Sequence, residues 1–174
     1  MSYFAAAVAR GSGGWSANEL DLTGAADVEE VADRLRDIAP DADVSLLFVE
    51  ADDAYLVIMR LDDNEDLRVF GSDSVFAEES RLGALLLGEV EAPALEIEDP
   101  APVSTEDRDE RGAGKPADPD VDPVGDADLL ADLGVSSHRL LSLCAREGML
   151  PADVTAEVCQ SLGCGDEVEE LREA

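Results

Sequence analysis

The sequence predicts an α+β fold: a mainly antiparallel sheet with two helices, then an acidic linker and a small all-α C-terminal region. Three observations support this prediction. The densest apolar stretch, Val44–Leu61, is interrupted at Asp52-Asp53, the pattern of two strands joined by a turn. Amphipathic helical periodicity occurs on both sides of that stretch. Residues 89–125 hold six of the chain's eight prolines. Nearly a third of the residues in this segment are Asp or Glu.

The first 22 residues are predicted to form two strands. Tyr3–Arg10 is apolar and small, and Trp15–Leu22 can return beside it after the turn Gly11-Ser12-Gly13-Gly14. A phosphate-binding loop is the alternative for this glycine-rich turn. The turn lacks the lysine of the G-x-x-x-x-G-K-[ST] motif, and a strand pattern rather than a helix pattern follows it. We therefore interpret it as a hairpin turn.

Asp27–Ala39 is predicted to be an amphipathic helix. Asp27 can cap its start, and Glu30 stands at the capping-box position three residues later. Pro40 ends it. The apolar positions follow the i, i+3, i+4, i+7 pattern of one helix face: Val28, Val31, Ala32, Leu35 and Ile38.

Three more strands and a second helix are predicted up to residue 88. Val44–Val49 is almost continuously apolar, as in a strand buried on both faces. Tyr55–Leu61 and Leu67–Phe70 follow as strands. The second helix spans Asp73–Leu87, and Gly88 ends it. Helices beside a meander of this kind predict an α+β domain.

The turn between the last two strands has one feature of a calcium loop. Asp62, Asn64 and Asp66 alternate like the first ligands of an EF-hand. Leu67 stands where that loop needs glycine, and Asp73 stands where it needs a bidentate glutamate. We therefore predict a solvated hairpin loop here.

The sequence predicts three segments: an α+β domain at 1–88, a disordered or tethering linker at 89–125, and a helical mini-bundle at 126–174. High charge with little apolar surface to bury predicts disorder in the linker. The C-terminal helices are bounded by serine, proline and glycine signals. They are predicted at Asp128–Gly134, Ser136–Glu147, Pro151–Leu162 and Asp166–Arg172.

Charge is the strongest global signal. The chain carries 42 Asp and Glu against 12 Lys and Arg, a net charge of −30. Phosphate contacts require clustered basic residues, and no segment has them, so direct binding to nucleic acid or to an anionic membrane is disfavoured. The acidic residues can serve solubility alone. Alternatively, it forms a docking surface for a basic protein partner.

The chain is expected to be cytoplasmic. Its three cysteines are an odd number, which argues against a secreted disulfide framework. The N-terminus lacks the basic region of a signal peptide. No run approaches the roughly 20 apolar residues that a membrane span needs.

No residue is predicted to be catalytic, to bind a cofactor or to hold a metal. A zinc site formed by His138, Cys144, Cys159 and Cys164 is the main alternative. Cys159-x₄-Cys164 has suitable spacing, but His138 and Cys144 are six positions apart and point to opposed faces of one helix. We interpret the cysteines as buried small side chains. The surrounding negative charge would raise a thiol pKa and so disfavour a thiol nucleophile.

Several segments together resemble the tRNA adenosine deaminase-associated protein family of actinobacteria. They include the start MSYFAAAVAR, the helix end Arg81–Leu87, the segment Asp128–Val135, and the segment from Leu140 through Cys144 to Asp153. The tail Leu162-Gly-Cys164 with Asp166-Glu167 belongs to the same resemblance, which covers both ordered regions and leaves out the linker. It implies a gene neighbourhood with the deaminase that makes inosine in tRNA, and it implies no activity.

The chain is not itself predicted to be such a deaminase. Zinc nucleobase deaminases use H-x-E followed by P-C-x-x-C. Here Arg139-Leu140 follows His138, and no C-x-x-C occurs. The favoured hypothesis is a non-catalytic accessory protein that binds a basic protein, with tRNA adenosine deaminase as the first candidate. The alternatives are a nucleic-acid mimic that binds other basic proteins and an enzyme of unknown type, which loss of turnover in His138→Ala would support.

Overall fold

A computed structural model describes residues 3–51, 55–63, 65–73, 75–87, 123–145 and 150–173. Six antiparallel strands form one sheet in the order β2-β1-β3-β4-β5-β6. The strands are β1 (Tyr3–Gly11), β2 (Gly14–Glu19), β3 (Val44–Ala51), β4 (Tyr55–Asp62), β5 (Asp66–Gly71) and β6 (Val124–Gly125). The helices are α1 (Val28–Ile38), α2 (Val75–Glu79), α3 (Arg81–Leu87), α4 (Ser137–Ala145), α5 (Pro151–Leu162) and α6 (Gly165–Glu173), with a 3₁₀ helix at Ala131–Leu133.

The predicted α+β class is confirmed, and the core strands lie where the apolar pattern places them. All eight residues of β3 are buried, because this central strand has packed side chains on both faces of the sheet. Side chains along a strand alternate between faces. Leu47 and Val49 therefore join one apolar cluster, while Leu46 and Phe48 join the other.

Helices close in sequence to the strands cover the first face. Val31 and Leu35 of α1 pack there with Leu86 of α3. Asp27 caps α1 as predicted, since its Oδ1 accepts a hydrogen bond from the N–H of Glu30 at 3.0 Å. The stacked rings of Tyr55 and Phe76, with centroids 4.8 Å apart, tie α2 to β4.

The prediction of one second helix over Asp73–Leu87 is wrong in detail. The segment forms two helices, because Ser80 begins a new one: its Oγ accepts hydrogen bonds from the N–H groups of Leu82 and Gly83, at 3.1 and 3.2 Å. The two helices also approach closely. A Cβ at Gly83 would collide with the carbonyl oxygen of Phe76. The apolar spacing alone is compatible with either arrangement.

The C-terminal elements cover the second face. Their apolar side chains share one cluster with Leu46, Phe48, Ile58 and Phe70 of the sheet. The helix predicted at Asp128–Gly134 is instead a turn followed by the short 3₁₀ helix, which ends at Gly134 in the left-handed conformation (φ +113°). The last helix is longer than predicted. The shared C-terminal side chains are Ala127, Leu129, Leu130, Val135, Leu140, Leu143, Val154, Val158, Cys159, Cys164 and Val168.

Two arginines link the sheet to these C-terminal elements. Arg60 of β4 donates to the carbonyl oxygen of Leu129 and to both carboxylate oxygens of Asp132. Arg172 of α6 binds Glu50 of β3 through two hydrogen bonds of 2.8 and 2.6 Å. Arg60 and Asp132 are 72 positions apart in the chain, and Glu50 and Arg172 are 122 positions apart.

The short strand β6 extends the sheet beyond the predicted meander. Val124 and Gly125, at the end of the segment assigned to the linker, pair with Gly71 and Phe70 of β5. The predicted turn at Asp52-Asp53 and residues 89–122 of the predicted linker lie outside the described residues.

Candidate partner-binding surface

Loops from three parts of the chain meet at one end of the sheet. In the strand register, Val44 lies opposite both Arg10 and Asp62. Backbone hydrogen bonds join the loops: the N–H of Asp43 donates to Arg10, and the N–H of Asp63 donates to Asp43, at 2.9 and 3.0 Å. Because these turns end neighbouring strands, their side chains share one end of the sheet.

Nine carboxylates gather on these loops, and we call them the acidic rim. Two loops of the α+β region contribute six of them. The turn after β6 contributes the other three, because the N–H of Asp126 donates to the carbonyl oxygen of Val69 on β5 at 2.9 Å. The acidic rim consists of Asp41, Asp43, Asp62, Asp63, Glu65, Asp66, Asp126, Asp128 and Asp132.

Two arginines neutralise only part of this charge. Arg60 pairs with Asp62 and Asp132, at 2.9 and 2.5 Å. Arg68 pairs with Asp62 at 3.2 Å and with Asp126 at 3.5 Å. Among the described residues, the other six rim carboxylates form no ion pair. Asp41, Asp43, Asp63, Glu65, Asp66 and Asp128 are all exposed.

From a buried position, Arg60 holds two carboxylates of the acidic rim, those of Asp62 and Asp132. Its side chain is only 5% exposed, whereas that of Asp132 is 63% exposed. Hydrogen bonds from Arg60 hold the pKa of the Asp132 carboxyl below its ordinary value. Hydrogen bonds to Asp132 and Asp62 raise the pKa of Arg60 against the opposing effect of burial. Both groups therefore remain charged at neutral pH.

The tight turn between β4 and β5 carries three exposed carboxylates of the acidic rim. The N–H of Glu65 donates to the carbonyl oxygen of Asp62 at 2.8 Å. Asp63 adopts a left-handed conformation (φ +52°), which aspartate tolerates better than most residues. This geometry turns Asp63, Glu65 and Asp66 toward solvent, where each is exposed. Like charges held this close create a strong local negative potential.

The residues weighed for zinc binding lie in the C-terminal helices. His138 is exposed in the first turn of α4, Cys144 is half-buried, and Cys159 and Cys164 are buried. Burial raises the pKa of the Cys144 thiol to about 12. The pKa of Cys159 is also raised, first by a hydrogen bond with the Cys164 thiol and then by burial. Such thiols hold little thiolate at neutral pH and are poor nucleophiles.

No group of three or more His, Cys, Asp or Glu side chains within the described ranges is arranged to hold a metal ion. The glycine-rich turn joins β1 to β2 as a hairpin, with Gly11 opposite Gly14, as predicted.

Among the residues that the structure describes, no helix has the length and apolar character required to cross a membrane.

The sequence predicted an acidic protein but did not locate the acidic rim. Its members come from loops at residues 41–43, 62–66 and 126–132, which are far apart in the chain. Runs such as Asp62-Asp63 and Glu65-Asp66 were visible in the sequence. Their proximity to Asp43 and Asp132 follows from strand register and from the position of the C-terminal elements.

Comparison with known proteins identifies a family and no further relative. No curated protein and no solved structure matches the chain significantly. One family model, described as Rv3753c-like tRNA adenosine deaminase-associated protein, matches residues 3–165. The match spans both the α+β region and most of the C-terminal helices. The chain therefore belongs to the Rv3753c-like tRNA adenosine deaminase-associated protein family.

Proposed function

We propose that this chain is a non-catalytic accessory protein that binds tRNA adenosine deaminase through the acidic rim. The acidic rim is the observation that supports this proposal. It places six exposed carboxylates, which form no ion pair with any described residue, beside three that are paired, on loops joined by backbone hydrogen bonds. The family description supplies the partner, since it names association with tRNA adenosine deaminase.

Charge complementarity supports this choice of partner. An enzyme that acts on tRNA must present basic side chains to the phosphate backbone. Clustered carboxylates on the accessory protein can occupy the same basic side chains. Opposed charges of this kind raise the association rate and orient the encounter. Binding through the rim should therefore compete with tRNA and weaken as salt increases.

A nucleic-acid mimic that binds various basic proteins is the second candidate. The spread of acidic residues over the whole chain, with a net charge of −30, favours it. The two candidates differ in selectivity. An accessory protein of the deaminase should bind that enzyme much more tightly than unrelated basic proteins of similar charge.

The test measures binding of the full chain to the tRNA adenosine deaminase of the same organism by calorimetry. Titrations at about 50 mM and about 300 mM salt compare weak with strong screening of exposed charges. We expect binding that weakens at least about tenfold at the higher salt and that tRNA displaces. Lysozyme, as an unrelated basic protein, tests selectivity.

Matched variants locate the surface. The triple variant D63N/E65Q/D66N removes three exposed rim charges and should weaken binding about tenfold, at about 0.2–1 kcal/mol for each exposed charge. The control variant E169Q/E170Q/E173Q removes three exposed charges from α6 and should bind normally. Equal weakening by both variants would show that net charge, and not the rim, drives binding. No binding at low salt would refute the proposal.

A further inference from the structure

A groove of about 930 Å³ lies between α3 and the loop that leads from β2 to α1. None of its lining residues belongs to the acidic rim. Apolar side chains form most of its walls: Leu22 and Ala25 from the loop, and Leu82, Ala84 and Leu85 from α3. Its volume is in the range of pockets that bind small molecules, which are mainly apolar with a few placed polar groups.

Arg81 is the one charged side chain among the described residues that line this groove. It is exposed, and among the described residues it forms no ion pair. Carboxylates pair with five of the eight described arginines, at positions 34, 36, 60, 68 and 172, and Arg81 is one of the other three. An arginine beside an apolar groove that pairs with no carboxylate of the described residues can bind an external anion.

A smaller depression next to the groove limits where an anion can lie. The two hollows share Tyr3, and the smaller one, of about 290 Å³, also contains Glu19 and Asp21. Hydrogen bonds from the Thr23 side chain and, second, from the Thr23 N–H at 2.8 Å hold the pKa of Asp21 below its ordinary value. A negative group placed on that side would be repelled. Arg81 is therefore the attractive position for an anionic head group.

We propose that this groove binds an amphipathic organic carboxylate. The apolar body lies against Leu22, Leu82 and Leu85, and the carboxylate pairs with the Arg81 guanidinium. Apolar burial supplies most of the binding free energy, and the ion pair fixes the orientation of the ligand. The proposal does not depend on the acidic rim or on its protein partner.

The test uses 8-anilinonaphthalene-1-sulfonate as a fluorescent reporter and decanoate as the carboxylate. On the full chain, we expect the reporter to bind one site and decanoate to displace it. Decanol, which has the same apolar chain without the charge, should compete about tenfold less well, because a charge-assisted contact contributes about 1.5–3 kcal/mol. Equal competition by decanol and decanoate, or no displacement by decanoate, would overturn the proposal.

Three variants test the position of the site. Arg81→Gln should weaken decanoate binding about tenfold or more, from the same charge-assisted contact. Arg139→Gln is the matched control, because Arg139 is likewise exposed and forms no ion pair among the described residues, yet it does not line the groove. Ala84→Trp, at an exposed lining position, should fill the groove and abolish binding.

Unfolding midpoints of all variants establish that each is folded under the conditions of the titration. Decanoate binding that is unchanged by both Arg81→Gln and Ala84→Trp would place the ligand elsewhere and refute the proposal. Loss of binding in Arg139→Gln equal to that in Arg81→Gln would assign the effect to net charge and would refute it too.

Discussion

The two faces of the sheet are covered in different ways. On the first face, α1, α2 and α3 lie close in sequence to the strands that they cover, and the ion pairs on that side, among the described residues, stay within α1. On the second face, elements beyond residue 122 return to the sheet, and two arginines pair with carboxylates across the junction. Both faces bury a continuous aliphatic cluster.

The difference shows what a distant segment needs in order to dock in one orientation. The hydrophobic effect is nearly non-directional and does not by itself select one register of an aliphatic surface. Arginine–carboxylate pairs with two hydrogen bonds are directional. Glu50 with Arg172 and Arg60 with Asp132 thus specify how the C-terminal elements sit, while the apolar contacts supply most of the stability.

Neighbouring leucines on β3 provide the strongest test of this comparison. Leu46 and Leu47 are both fully buried, but they face opposite clusters. Each substitution by alanine should lower the free energy of unfolding by about 2–5 kcal/mol, because it removes buried methyl groups and leaves a cavity. Chemical denaturation of the two variants measures this. A much smaller cost for Leu46→Ala would show that the C-terminal elements cover the sheet only loosely.

The next largest effect should come from Arg172→Ala. Glu50 is only 7% exposed, so this variant leaves a buried carboxylate without its partner. Because Arg172 is itself partly exposed, we expect a loss of about 2–3 kcal/mol, below the range for fully buried pairs. The arginine also lies over the Phe4 ring at 4.6 Å. Arg172→Lys should lose less, since it keeps the charge, and an equal loss would contradict a charge-based account.

A smaller effect is expected for Arg60→Met, which keeps the apolar stem. This variant leaves the buried carbonyl oxygen of Leu129 without its side-chain donor. Asp132, in contrast, is exposed enough to be solvated. The free energy of unfolding should fall by about 1–2 kcal/mol. If Arg60→Met proved as costly as Arg172→Ala, the assignment of Glu50 as the more deeply buried partner would be wrong.

The smallest effect concerns pH. Arg60 lowers the folded-state pKa of Asp132 below the ordinary 3.8, so its stabilisation is fully present above that value and is lost as pH falls through the lower folded pKa. Because Asp132 is largely exposed, Asp132→Asn should cost only about 0.2–1 kcal/mol at pH 6. The difference from the unsubstituted protein should shrink as pH falls below 3.8. In the Arg60→Met background, Asp132→Asn should have a smaller pH-dependent effect, because Arg60 is the first cause of the lowered pKa.

Local patterns account for the parts of the fold that were predicted correctly. The strands β1, β3, β4 and β5 and the helices α1 and α5 lie within a few residues of their predicted bounds. Each is specified by apolar periodicity and by a nearby capping or turn residue, such as Asp27 or Gly163. Signals of this kind act within a few residues, so the sequence displays them directly.

The errors fall where a specific side-chain or strand contact, rather than apolar spacing, decides between two local solutions. The segment Asp73–Leu87 has helical spacing throughout, yet Ser80 caps a new helix so that Gly83 can approach Phe76. The turn before Ala131 is shaped by the hydrogen bond between Arg60 and Leu129. Strand β6 has two residues, too few for a periodic signal, and it exists because β5 offers a free edge.

The sequence by itself determined the fold class, the aliphatic character of the core and the large negative charge, because composition and short-range periodicity carry these properties. Tertiary structure alone decided which strand face the C-terminal elements cover. It also decided that Arg60 and Arg172 meet their carboxylates and that nine acids from three loops form one rim. These features depend on contacts between residues far apart in the chain, and no local pattern encodes such distances.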